Sequence, residues 1–123
     1  MVAVAQVEPT AGSPTAVVGT FLLTAAVYAL TLHVAARYVL GDVDAKRAVP
    51  LGLVLAALAF AGQRNAPAVV LGASLLVDYV GVKVLYDRSH RLTALIVVVH
   101  VTVAIVLGLV LSYLAVLLST APA

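Results

Sequence analysis

From Leu92 to Leu118 the chain contains no Asp, Glu, Lys or Arg. Coiled as an α-helix, this run is about 40 Å long, more than the roughly 30 Å hydrocarbon core of a bilayer. Inside a soluble domain such a segment needs a polar shell around it. The chain has too few polar residues to supply one, since 64% of its 123 residues are hydrophobic and 10% are charged. Soluble domains are about a quarter charged. Lipid must therefore be the covering medium.

The other apolar residues also fall in long blocks rather than in alternation, which points to helices and away from the dyad repeat of a membrane barrel. Spans are predicted at about 17–40, 48–62, 67–86 and 92–118, between polar tails at 1–16 and 119–123. The fold class is all-α, a polytopic membrane protein built as a bundle of four transmembrane helices. No basic residue precedes the first apolar stretch, so a cleaved secretory signal is not expected. The second segment is the weakest, because some fifteen residues give only about 23 Å of helix. Pro50 near its start is tolerable, as a first-turn proline loses no helical hydrogen bond.

Lysine and arginine placement sets the orientation. With four crossings, the loops GDVDAKR (41–47) and DRSHR (87–91) share a side and hold Lys46, Arg47, Arg88 and Arg91, with Arg37 and Lys83 close by; the other side holds Arg64. The loops are therefore expected in the cytoplasm of a cell-membrane protein and both termini outside it. Lys83 and Arg64 read as interfacial anchors whose charged heads reach the membrane surface. A net charge of +2 is too small to suggest nucleic acid, and the absence of cysteine removes disulfides and thiol chemistry. With no HExxH, serine elbow or phosphate loop, the chain matches no enzyme template.

Ionisable residues within spans are costly there and face the protein interior as a rule. His33, Asp78 and His100 each lie eight or nine residues from the basic loops, which puts all three some 12–14 Å deep. A buried polar cluster of His33, Asp78 and His100 is predicted, with Arg37 one turn below His33 as a candidate counter-ion. The stripe His100, Ala104, Gly108 and Ser112 recurs every four residues and predicts a helix-packing face of small side chains. On the first span Ala25, Ala29, His33 and Arg37 share the same spacing. Such a cluster either fixes which helices touch or serves as a proton or small-cation site. Two histidines with a carboxylate could also ligate a metal, and two histidines a haem, but no spacing singles out either, so neither metal nor cofactor is expected.

The stretch Leu32–Ala48, LHVAARYVLGDVDAKRA, with the short spans that follow and the Thr-Ala-Pro ending, resembles a group of uncharacterised small four-span membrane proteins of halophilic archaea. That resemblance implies the membrane and the fold and no activity. The expectation is a structural or accessory membrane component, with a small proton or cation transporter or channel as the alternative. Bundles this small self-associate or dock on larger complexes, so a homo-oligomer or an accessory subunit is expected.

Overall fold

The computed structural model describes residues 12–122, and all regular structure among them is helical. In chain order these are α1 (Pro14–Leu40), a 3₁₀ turn (Ala45–Ala48), α2 (Val49–Ala61), α3 (Pro67–Tyr86) and α4 (His90–Thr120). The expected tail falls outside the described residues as far as residue 11, and α1 starts earlier than Val17. Ser13 is the reason: its hydroxyl accepts from the Ala16 amide at 3.2 Å and Pro14 stands in the first turn, a start signal inside the nominal tail. Ser89 likewise caps α4, accepting from the Leu92 amide at 3.3 Å, so that helix begins two residues before the apolar run. At the far end α4 continues through Ser119 and Thr120, whose hydroxyls bond back to the Val116 carbonyl.

The stops are equally local. Gly41, with φ +87°, donates its amide to the Arg37 carbonyl and ends α1, while Asp87, with φ +47°, donates to Lys83 and ends α3. These left-handed residues terminate helices because the chain cannot continue a right-handed coil through them.

Three of the helices, α1, α3 and α4, are long and apolar enough to cross a membrane. Their outward faces are apolar, with Leu109 66% and Leu118 70% exposed, as suits a lipid-facing surface. The four helices form a ring: α1 and α3 each pack on α2 and α4 and stand diagonally across from one another. A close approach joins α1 to α2 at Gly52, where a methyl group would sit 2.7 Å from the Ala25 carbonyl oxygen and 2.9 Å from the Ala29 Cβ. Phe21 and Phe60 close the same pair further along, edge to face at 5.4 Å.

The apolar core lies toward the end that carries the basic loops, where Leu32, Ala35, Ala36, Ala48, Leu51, Val82, Tyr86 and Ile96 are buried. Toward the opposite end a cleft of about 540 Å³ runs from the 62–67 turn to mid-depth, walled by larger apolar side chains such as Leu55 and Leu75 with the small Ala59, Ser74 and Ala104 among them.

Candidate functional site

At the floor of the cleft, His100 of α4 bonds to both diagonal helices. Its Nδ1 lies 2.7 Å from Asp78 Oδ2 on α3, and its Nε2 lies 3.0 Å from Thr31 Oγ1 on α1. All three residues are 3% exposed or less. In α3, Asp78 shares a face with Val82 and Tyr86 at steps of four, and in α4, His100 shares one with Ile96 and Thr93 at steps of four and seven. All six are buried, so these stripes are the inward faces of their helices.

The hydrogen bonding is satisfied in two protonation states. A carboxylate has no proton to give, so Nδ1–H donates to Asp78. With the ring neutral, Thr31 donates its hydroxyl proton to Nε2. With the ring doubly protonated, Nε2–H donates to the Thr31 oxygen, and the hydroxyl turns to the Tyr28 carbonyl, 3.0 Å away. One proton can therefore enter or leave without stranding a ring nitrogen. The second carboxylate oxygen, Oδ1, is buried and has no partner in the structure.

The order hydroxyl, imidazole, carboxylate is that of a hydrolase triad, but its surroundings differ. Thr31 is held in the middle of α1, where backbone amides are consumed by the helix and none is left to stabilise an oxyanion. The arrangement can hold or exchange a proton, or lock helices together.

The other sequence-predicted residues lie elsewhere. His33 is two residues from Thr31, about 200° around the helix, so it shares the depth of the network but not its face; its Nδ1 is buried without a partner. Among the described residues no group of three His, Cys, Asp or Glu side chains converges closely enough to hold a metal ion. Arg37 does not turn toward Asp78: its exposed guanidinium lies 3.9 Å from Asp42 in the following loop. Of the predicted α1 stripe, Ala25 is buried and Ala29 packs on α2 at Gly52, whereas His33 and Arg37 do not join the network; the other buried residues of α1 are Thr31, Leu32, Ala35 and Ala36. The small-residue stripe of α4 is also displaced. Ala104 lines the cleft, a methyl group on Gly108 would meet nothing within 4 Å, and Ser112 is exposed, so α4 packs through Thr93, Ile96, Val97 and His100. Lys83 donates to the Arg88 carbonyl in the loop at the basic end, and Arg64 lies exposed in the turn at the other.

Thr31 is the residue that sequence reasoning missed. A threonine that bonds back to its own helix, as Thr31 does to Tyr28, is ordinary in an apolar helix. The available signal was its place three residues after Tyr28 and four before Ala35, on a face otherwise free of charge.

No curated protein and no solved structure matches the chain. A family model matches residues 11–122, nearly the whole length described above, and on that match the chain belongs to the family of unknown function DUF7473.

Proposed function

We propose that this is a four-crossing, non-enzymatic membrane component, structural or accessory to a larger assembly, in which Thr31, His100 and Asp78 lock the bundle. The observation that carries this reading is the bridge made by one imidazole between α1 and α3, helices whose backbones do not approach one another closely. Inter-helix hydrogen bonds in bilayers contribute on the order of 1 kcal/mol each, and their directionality selects one arrangement of apolar helices that otherwise slide freely.

Support for a full crossing by α2 comes from its neighbour. The 3₁₀ turn lengthens its roughly 20 Å to about 28 Å. At one end Arg47 donates to the Leu85 carbonyl at 3.2 Å, and at the other Gly62 lies against Val70. The short segment thus runs alongside almost all of α3, itself of membrane-crossing length. Four crossings put the two basic loops on one side, cytoplasmic by their lysines and arginines, and both ends of the chain outside.

A second reading, a proton or small-cation carrier, is favoured by two observations: the network accommodates an added proton, and the cleft leads to it from one end. Asp78→Asn separates the two readings. For a lock, the purified variant loses thermal stability in detergent and neither form moves protons across liposomes. For a carrier, the wild type conducts and the variant folds but does not.

A further inference from the structure

We infer that the cleft above Asp78 is a binding site for an amphiphilic organic cation, a molecule with an apolar body and one positive centre. This rests on the second reading, that the Asp78–His100 pair exchanges a proton, and names what exchanges with it.

The cleft, at about 540 Å³, is within the range of small-molecule sites. Its walls are Leu55, Val70, Leu71, Leu75, Val101 and Ile105, which suit an apolar body. Its floor is the Asp78 carboxylate, whose Oδ1 lacks a partner. The chain has seven lysines and arginines, and none lines the cleft, so no fixed positive charge competes for that carboxylate. The groups around Asp78 are His100 from α4, bonded to it, and Tyr86 two turns along α3. Tyr28 of α1, Ser74 of α3 and, from the turn, Gln63 and Asn65 are the other polar lining of the cleft, to which α2 contributes the apolar Leu55 and Ala59. Among the described residues no three His, Cys, Asp or Glu side chains converge to hold a small metal ion there.

Charge balance supplies the coupling. With one shared proton the pair is neutral as carboxylate and imidazolium; without it the floor carries one uncompensated negative charge in a medium of low dielectric, which is costly. A monovalent cation restores neutrality as the proton leaves. Cation and proton therefore bind in competition, and a neutral molecule of the same shape gains nothing from Asp78.

The test is titration of the detergent-solubilised full chain with tetraphenylphosphonium and, in parallel, with uncharged triphenylphosphine oxide. The expected result is saturable binding of the cation alone, release of one proton per cation, and affinity falling about tenfold for each unit by which the pH is lowered while the pair is protonated. Asp78→Asn abolishes binding. Ala104→Leu fills the cleft beside an unaltered Asp78–His100 bond and weakens binding at least tenfold, which keeps the test decisive if Asp78→Asn fails to fold. Equal binding of the neutral analogue, as for a site that takes lipid tails, overturns the inference, as does absence of proton release or unchanged binding in Ala104→Leu. The pH titration of the His100 ring by NMR is read separately: a ring that titrates while the cation fails to bind leaves the proton-exchanging pair intact and removes only its organic partner.

Discussion

His100 occupies a position where almost any replacement exposes the physics of buried polar groups. His100→Leu leaves the Asp78 carboxylate without its partner in a medium that cannot solvate it, an effect of about 3–5 kcal/mol when a buried pair is broken from one side. Removing both members, as in Asp78→Leu with His100→Leu, strands nothing, so the double variant is expected to melt above the His100→Leu single variant in a detergent thermal scan. If the double variant is the less stable of the two, the pair is a net stabiliser beyond charge compensation. Thr31→Val is the milder probe: same shape, one hydrogen bond fewer, and a loss of about 1 kcal/mol. Because valine can still pack, the bundle should remain folded while the His100 ring loses its Nε2 partner. NMR of the imidazole nitrogens checks this directly.

At the scale of helices, the crossing of α1 and α2 depends on one absent methyl group. Gly52→Ala brings a Cβ to 2.7 Å from the Ala25 carbonyl oxygen, which belongs to backbone and cannot swing away. The helices must separate, at a cost of roughly 1–3 kcal/mol of the kind seen for overpacked sites. Gly72→Ala is its control: nothing lies within 4 Å of the new methyl, and alanine is the better helix former by up to about 1 kcal/mol. Melting temperatures measured side by side should fall for the first and hold or rise for the second. Gly81 repeats the close-packing logic between α3 and α2, where a methyl would meet the Leu51 side chain. Thus α2, the shortest helix, is held on two sides by glycines that admit close approach.

For the molecule as a whole, the proposed topology makes a prediction that needs no knowledge of activity. Reporters fused ahead of residue 12 and after residue 122 should appear on the same, extracytoplasmic face of the membrane, and a reporter in the 41–44 loop on the opposite face. Ends on opposite faces would mean that α2 lies inside the bundle without crossing it. Tyr86, Val82, Leu32 and Ile96 fill the half nearest the basic loops, whereas in the other half Ala59, Ser74 and Ala104 stand among larger apolar walls around a cleft that reaches Asp78. A pathway that ends blind at a protonatable pair is half of an alternating-access geometry; a pair sealed from one side is also what a structural lock requires. The Asp78→Asn comparison of flux with stability distinguishes them.

Composition and local signals carried the helices. Apolar blocks with few charges define which segments lipid can surround; Ser13, Gly41 and Ser89 mark where helices begin or stop through bonds within a few residues of each, and Pro67 does so through its fixed φ in the first turn. Depth was legible too, since residues counted from the basic loops place Asp78 and His100 at one level. Direction was not. An apolar helix in lipid has no polar face to betray its inward side, so a four-residue stripe such as Ala104, Gly108 and Ser112 reads equally well as packing face or lipid face. Which side of α1 meets α4 was decided by the fit of whole helices. That fit turned Thr31 toward His100 and His33 away.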